Sequence, residues 1–295
     1  MSVLTASTVA GVMGEVMNRL EEAGVEDVRI NAAWLVARVL GVPRARLPAM
    51  NLDPFPAAAC APLEALVARR QRGEPLQYLL GEWGFLDFDL EVGPGALIPR
   101  YETEEWVEFL IGFLGKRCGP RPFTFADIGT GTGAIGIALA RAFPAARGVL
   151  VDLSAEALAL AGRNLLRCGL DPQDGRVGLV QCSLTDGLAG GAFDLLVSNP
   201  PYIDVDELER LQVEVIGYEP RLALDGGFHG LDVIRPLLDR SRRCLKPGGW
   251  LGFEHGFGQR PRILASLPAG LRLVEAVNDL EGRDRFLLLE REASP

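Results

Sequence analysis

The sequence predicts an α/β protein in which a mostly parallel sheet follows a small N-terminal bundle of helices. Three observations support this prediction. Residues up to about 72 show helical periodicity, and short branched apolar runs alternate with helical segments after residue 120. Between these regions, residues 84–98 alternate apolar and acidic side chains around a Gly-Pro-Gly turn, as a hairpin does.

The N-terminal region is expected to form three helices. Apolar residues recur at three- and four-residue intervals over residues 9–20, which predicts the first helix. Asp27 is expected to cap a second helix that Gly41 ends, and a third is expected to end at Gly73. A minimal catalytic domain does not need such a bundle, so we expect residues 1–73 to recognise a macromolecular partner. The alternative is that the bundle only packs and recognises no partner.

A β-hairpin linker over residues 74–99 is expected next. Residues 84–92 read as one half-exposed strand, Gly93-Pro94-Gly95 as its turn and Ala96-Leu97-Ile98 as the returning strand. Acidic residues then open a helix that continues through residues 106–110.

Composition narrows the classes of function. The chain has 295 residues, of which 48% are hydrophobic, which is ample for a core. No apolar stretch reaches the length of a membrane span and the first residues lack a basic leader region, so we expect a cytoplasmic protein. The net charge of −9 disfavours a general nucleic-acid binder. The five cysteines form no CxxC pair, and His229 and His255 stand outside any ligand-spaced cluster, so we expect no metal.

A glycine-rich turn follows the predicted strand at residues 123–128. It reads Gly129-Thr130-Gly131-Thr132-Gly133 and opens a helix, so a ligand could approach its backbone closely. Dinucleotide enzymes and methyltransferases both use such a turn. Asp127, at the strand end, would repel a pyrophosphate but would suit the positively charged amino-acid end of S-adenosylmethionine. The pattern therefore favours a methyl donor.

The next two strands supply further candidate cofactor residues. Residues 148–152 end in Asp152, which could accept hydrogen bonds from the ribose hydroxyls; an N-cap role is the alternative. Residues 178–182 lead to Ser183 and Leu184, where the adenine ring is expected.

A fourth strand, residues 193–198, delivers Asn199-Pro200-Pro201-Tyr202 to the carboxyl edge of the sheet, where ligands bind in such folds. Two prolines have no N–H, so the backbone there can only accept hydrogen bonds. The Asn199 side-chain oxygen and the Pro200 carbonyl could hold a planar NH2 group, with Tyr202 as an aromatic wall. A proline turn with ordinary packing is the alternative. Residues 250–254 and 285–290 read as the last strands.

The motifs together resemble the bacterial peptide chain release factor N5-glutamine methyltransferase family, over residues 1 to about 290. The matching motifs are Glu74-Pro75-Leu76-Gln77-Tyr78, Leu97-Ile98-Pro99-Arg100 with Glu102-Thr103-Glu104, the glycine turn, Asn199-Pro200-Pro201-Tyr202, Glu219-Pro220-Arg221 and Gly282-Arg283-Asp284-Arg285. The combination of the linker motif with Asn-Pro-Pro-Tyr is far more specific than either part.

The resemblance implies a seven-stranded Rossmann-like class I methyltransferase sheet in residues 100–295, with an antiparallel final pair. It implies S-adenosylmethionine as cofactor, S-adenosylhomocysteine as product and the glutamine of a release-factor Gly-Gly-Gln loop as target. Asn199, Pro200 and Tyr202 would grip that glutamine, and Arg100 and Glu102 would lie at the mouth of the site.

The chain departs from the family pattern at three positions. Tyr101 stands where a proline is usual, and Ser183 and His229 stand where acids are common.

Two other functions compete with this prediction. An adenine or cytosine amino-methyltransferase acting on DNA or RNA could use the same tetrapeptide, but it would need to grip phosphates, and this chain is acidic. A non-catalytic binder of the cofactor would have no need of the Asn-Pro-Pro-Tyr acceptors. We expect a monomer that binds release factors but neither nucleic acid nor membranes.

Overall fold

A computed structural model describes residues 4–293, so residues 1–3 and 294–295 of the predicted domains lie outside the described residues. The chain divides into two compact units. Of the described residues, the first comprises those up to Glu82 and Gln212–Tyr218, and the second comprises Trp83–Leu211 and those from Glu219 onward.

The first unit is helical. Its helices are α1 (Val9–Glu22), α2 (Val28–Leu40), α3 (Ala57–Arg70) and α4 (Leu76–Leu80), with a 3-10 turn over Arg44–Met50. The predicted apolar face of α1 is confirmed, since its valines and Leu20 are buried. Helix α3 ends at Arg70 rather than at Gly73.

The start of α2 corrects one expectation. Asp27 has a left-handed backbone (φ 48°), and its side chain caps nothing. Its carbonyl instead accepts hydrogen bonds from the backbone N–H groups of Ile30 and Asn31. The Asn31 side-chain amide also donates to the carbonyls of Glu26 and Asp27, at 3.0 and 3.3 Å. Gly41, with φ 64°, ends the helix as predicted.

A late segment of the chain completes the first unit. Gln212–Tyr218 contains the short helix α8 (Val213–Ile216). Buried Arg70 forms an ion pair with Glu214 and donates to the Asn31 side-chain oxygen at 2.7 Å. The Tyr218 hydroxyl donates to the Arg72 carbonyl at 3.1 Å. Arg70 therefore connects three separate stretches of sequence.

The second unit contains a two-stranded hairpin and a seven-stranded sheet with its helices. The strands are β1 (Glu82–Phe85), β2 (Phe88–Glu91), β3 (Thr124–Ile128), β4 (Arg147–Asp152), β5 (Val177–Gln181), β6 (Phe193–Ser198), β7 (Leu245–Glu254), β8 (Leu271–Asn278) and β9 (Asp284–Arg291). The helices are α5 (Tyr101–Cys118), α6 (Ala134–Ala142), α7 (Ala155–Arg167), α9 (Ile234–Cys244) and α10 (Arg260–Ala265). Within the described part of the chain, none of the helices combines the length and apolar character that a membrane span requires.

The sheet has the predicted class of topology. Its strand order is β5-β4-β3-β6-β7-β9-β8; β3 to β7 pair in parallel, and β9 runs antiparallel to both β7 and β8. Strand β3 is nearly wholly buried, as is usual when helices cover both faces of a parallel sheet. The seven strands and the antiparallel final pair are therefore confirmed.

The hairpin differs from its prediction. Residues 84–92 are not one strand; the chain turns at Leu86 and Asp87, where Leu86 has φ 52°, and residues 96–98 form no strand. The turn brings the rings of Phe85 and Phe88 into edge contact, with 5.8 Å between centroids. The Leu86 N–H donates to the Glu104 carboxylate, which holds the turn. These contacts are tertiary, so alternation alone could not reveal them.

Two features of the sheet were not predicted. Strand β8 lies at the sheet edge and is mostly exposed, so its sequence lacks a buried apolar run. Strand β7 starts at Leu245 rather than Trp250, with an irregularity where Gly248 has φ 77°.

Replacement of Arg70 with alanine should lower the free energy of unfolding of the first unit. We expect a loss of about 2–4 kcal/mol, because Glu214 and Asn31 would lose a buried charged partner. Urea denaturation followed by circular dichroism measures the loss. The matched control is Arg69→Ala, because the Arg69 side chain is 43% exposed against 4% for Arg70, and its ion pair with Glu74 should contribute under about 1 kcal/mol. Equal effects of the two substitutions would contradict the role assigned to Arg70.

Candidate active site

A cavity of about 450 Å³ opens at the carboxyl edge of the parallel strands in the second unit. Strands β4, β3 and β6 end side by side here, since Ile128 pairs with both Val151 and Ser198. The loops that follow these strands therefore converge on one space. Ligands bind at this edge in open α/β sheets.

Most of the predicted site residues line this cavity. Those that do are Arg100, Gly129, Thr130, Gly131, Thr132, Asp152, Ser183, Leu184, Asn199 and Pro201. Five predicted residues are not among the lining residues: Glu102, Asp127, Gly133, Pro200 and Tyr202. The structure therefore brings together most of the predicted set and places the others around it.

Asp127 supports the glycine loop from beneath. Its side chain is completely buried, and its Oδ2 atom accepts from the Thr130 hydroxyl at 2.6 Å and from the Gly136 N–H at 2.9 Å. Its Oδ1 atom has no hydrogen-bond partner. Burial raises the pKa of Asp127 to about 6, although both hydrogen bonds favour the ionised form. The carboxylate thus fixes the loop and keeps one acceptor unused.

Asp152 connects the glycine loop to the next loop. Its Oδ2 atom accepts from the Gly131 N–H at 2.9 Å, and its Oδ1 atom accepts from the Ser154 N–H at 2.9 Å. Ser154, not Asp152, caps α7 by accepting from the Ala157 N–H. The capping alternative for Asp152 is therefore wrong. Its carboxylate lines the cavity and keeps lone pairs available for a ligand.

The Asn-Pro-Pro-Tyr segment forms a corner of the site. Asn199 lines the cavity, and its Nδ2 atom donates to the Thr103 hydroxyl oxygen at 3.1 Å. Tyr202 is not among the lining residues, so the expected aromatic wall does not border the cavity; its hydroxyl donates to Glu254 Oε1 at 2.8 Å. The Gln259 side chain donates to the Tyr202 carbonyl at 2.8 Å, which fixes the backbone of the segment.

Glu254 is a buried acid next to this corner. It ends strand β7, which pairs with β6, and its Oε2 atom accepts from the Thr103 hydroxyl at 2.8 Å. Burial raises the pKa of Glu254 to about 7, while the hydrogen bonds from Tyr202 and Thr103 oppose that shift. Burial, and then the nearby Glu254 charge, raise the pKa of Tyr202 well above its ordinary value. The tyrosine is therefore a hydroxyl donor rather than a phenolate.

A third buried acid, Glu219, holds residues 98–100, which we call the entrance segment. The Glu219 carboxylate accepts from the Ile98 N–H at 3.0 Å and pairs with the Arg100 guanidinium. Arg100 lines the cavity, so Glu219 determines where its positive charge lies. Glu102 lies in the first turn of α5.

Neither histidine is among the residues that line the cavity. His255 is fully buried, and burial lowers its pKa to about 4. His229 is half-exposed, and its Nδ1 atom lies 3.4 Å from Asp204.

The sequence prediction missed four residues that hold the site: Thr103, Glu219, Glu254 and Gln259. Thr103 and Glu219 lie within motifs that carried the family resemblance, but without an assigned role. Glu254 stands at the end of a predicted strand, but only the pairing of β7 with β6 places it near Asn199. Gln259 had no signal in the sequence.

Two family models match the chain. One, described as the PrmC N-terminal domain, matches residues 13–81. The other, described as the methyltransferase small domain, matches residues 108–216. Each matched range contains motifs that carried the resemblance.

Proteins of known family are similar to the chain over most of its length. A release factor glutamine methyltransferase of Geobacter sulfurreducens is 44% identical over 87% of this chain and 87% of its own. A protein of the same name from Moorella thermoacetica is 40% identical over 97% of this chain and 99% of its own. A solved structure, a ribosomal protein L11 methylase of Lactobacillus delbrueckii subsp. bulgaricus, has TM-score 0.49 and 22% identity, covering 67% of this chain and 82% of that one.

The raised pKa of Glu254 predicts a pH dependence of stability. An unfolded glutamate ionises near its ordinary value of 4.5, whereas folded Glu254 keeps its proton until about pH 7. Between these values the unfolded state binds fewer protons, so the free energy of unfolding falls as pH rises, by on the order of 3 kcal/mol from this group. Above pH 7 the contribution is constant.

Glu254→Gln should remove the fall in the free energy of unfolding that Glu254 causes between pH 4.5 and 7. Asp127 stays in both proteins, so the difference between their unfolding curves from pH 4.5 to 8 isolates Glu254. Parallel curves for the two proteins would show that Glu254 ionises normally.

Proposed function

Because the chain belongs to the release factor glutamine methyltransferase family, we propose that it methylates a glutamine side-chain nitrogen in peptide chain release factors, with S-adenosylmethionine as the methyl donor. The target would be the glutamine of a Gly-Gly-Gln loop. The observation that carries this proposal is the Asn199 acceptor corner beside the cavity. Methylation of a DNA or RNA base is not favoured, since the relatives are named for glutamine and the net charge is −9.

The residues around the cavity fit S-adenosylmethionine. Gly131 has φ 56°, a conformation that favours glycine and turns the loop backbone toward the cavity. Asp152 would accept from the ribose hydroxyls, and Ser183 and Leu184 would border the adenine. Asp127, with its unpartnered Oδ1 atom, would support the loop of Gly129, Thr130, Thr132 and Gly133 electrostatically against the cofactor's positive end.

When bound, S-adenosylmethionine supplies an electrophilic methyl group on a sulfonium and leaves as S-adenosylhomocysteine. Asn199 Oδ1 and the Pro200 carbonyl would accept the two N–H bonds of the glutamine amide. Such acceptors localise the nitrogen lone pair, which is otherwise delocalised, and orient it for attack. Pro200 and Pro201 keep this backbone rigid and without N–H donors, and the hydrogen bond from Tyr202 to Glu254 holds the segment beside the cavity.

The transfer is then balanced without a strong base. A nitrogen–carbon bond would form as the donor's sulfur–carbon bond breaks, and the electron pair of that bond would stay on sulfur. The methylated nitrogen would become acidic and lose one proton to water, while Asn199 Oδ1 and the Pro200 carbonyl accept its N–H hydrogen bonds. Arg100 and Glu102 would border the entrance for the substrate loop.

We further propose a role for each part of the chain. Residues 1–73 would recognise the release factor, residues 74–99 would link the parts and residues 100–295 would carry out the transfer. The chain would act as a monomer in the cytoplasm, where release factors work, without binding nucleic acid or membranes.

A direct assay tests the reaction. We expect incubation of the protein with a release factor and isotope-labelled S-adenosylmethionine to add one methyl group to the Gly-Gly-Gln glutamine, mapped by peptide mass spectrometry. DNA and RNA in parallel reactions should stay unlabelled. Label on a nucleic-acid base, or on another release-factor residue, would overturn the proposal.

Asn199→Ala should abolish methylation while leaving cofactor binding nearly intact. Loss of one oriented acceptor should lower kcat by about 10²-fold or more. Single-turnover transfer and calorimetric titration of S-adenosylmethionine separate the two effects. Wild-type turnover in the variant would remove Asn199 from the mechanism.

A further inference from the structure

Asn199 can act as an acceptor only if its side-chain amide has its oxygen toward the substrate. The two ends of an amide have the same shape but opposite hydrogen-bonding character. An amide that presented its NH2 group would repel the NH2 group of a glutamine. Something in the structure must therefore distinguish the two orientations.

We propose that Glu254 and Thr103 are positioning residues that fix the Asn199 amide with its oxygen toward the substrate. This inference rests on the proposed function. It concerns residues beyond the substrate-contacting set, and it assigns a role to an acid that the transfer itself does not use.

Glu254 is the acceptor at the end of the hydrogen-bonded series that runs from Asn199 through Thr103. Both oxygens of Glu254 are occupied, one by the Tyr202 hydroxyl and one by the Thr103 hydroxyl, each at 2.8 Å. Above pH 7 the Glu254 carboxylate is mostly ionised and has no proton to donate, so each hydroxyl must then be the donor. Burial of Thr103 and Glu254 leaves little room for water to substitute for either contact.

A threonine hydroxyl has only one proton to donate. Because Thr103 gives its proton to Glu254, its oxygen can offer only lone pairs to Asn199. The Asn199 atom 3.1 Å away must then be the nitrogen, and Oδ1 must lie on the opposite side of the amide. Glu254 thus determines the orientation of the Asn199 amide through Thr103, without a direct hydrogen bond to Asn199.

The charges around Glu254 are consistent with this arrangement. Burial is the largest effect and raises the pKa of Glu254 to about 7, whereas the hydrogen bonds from Tyr202 and Thr103 and the charge of Arg285 favour its ionised form and Glu102 opposes it. If Glu254 lost its charge, Thr103 could turn its proton toward Asn199. The amide could then rotate and present NH2 to the glutamine.

Paired substitutions at Thr103 test the inference. Thr103→Ser keeps the hydroxyl, and Thr103→Val keeps the shape but removes it. We expect Thr103→Ser to retain kcat within about threefold and Thr103→Val to lose about 10²-fold, with the KM for release factor and the Kd for S-adenosylmethionine nearly unchanged. A wild-type kcat in Thr103→Val, or equal losses in both variants, would overturn the inference.

Glu254→Gln separates positioning from stability. A glutamine at 254 can donate to the Thr103 oxygen, which frees the threonine proton for Asn199. We expect about a 10²-fold loss of kcat in a protein that is at least as stable as wild type at pH 8. If Glu254 acted only through stability, this variant would keep the wild-type kcat, because it is no less stable. A wild-type kcat would therefore contradict the proposal.

A nuclear magnetic resonance measurement tests the orientation without any turnover. The Asn199 side-chain NH2 signals can be assigned by their absence in Asn199→Ala. They should be protected from hydrogen exchange in the wild type and in Thr103→Ser, but not in Thr103→Val. If the wild type fails to methylate release factor yet shows this pattern, only the proposed function has failed. Unprotected wild-type signals would refute the inference itself.

Discussion

The parallel alignment of β3, β4, β6 and β7 is the constraint on which the site depends. Parallel strands all end at one edge, so loops that are far apart in sequence must meet there. The glycine loop, Asp152, Asn199 and Glu254 each follow or end one of these strands. No single loop makes the site; the shared direction of four strands does.

Buried acids hold the loops at this edge of the sheet in place through hydrogen bonds. Asp127 fixes the glycine loop, Glu219 fixes the entrance segment, and Glu254 fixes the corner that holds Asn199. Each carboxylate accepts hydrogen bonds from at least two groups, which offsets part of the cost of burying it. The raised pKa values of Asp127 and Glu254 show that burial still outweighs those bonds. The cost of burying these charges is therefore located in the loops and strand ends that form the site.

Local patterns predicted much of this structure. The glycine turn, Asp152 and the Asn-Pro-Pro-Tyr corner follow apolar strands directly, so their placement depended only on neighbours in sequence. The turn at Leu86 could not be predicted, because it depends on contacts with Phe85, Phe88 and Glu104. The role of Glu254 required knowledge that β7 pairs with β6. Edge strand β8 was missed because exposure removes the apolar signal.

The segment Gln212–Tyr218 has a consequence for how the first unit assembles during synthesis. Arg70 and Arg72 are made early, but Glu214 and Tyr218, with which they bond, emerge from the ribosome more than 140 residues later. The N-terminal helices must therefore wait, incomplete, while most of the sheet's strands are translated. A fragment cut after residue 82 would lack its last piece, and adding Gln212–Tyr218 as a separate peptide should complete it.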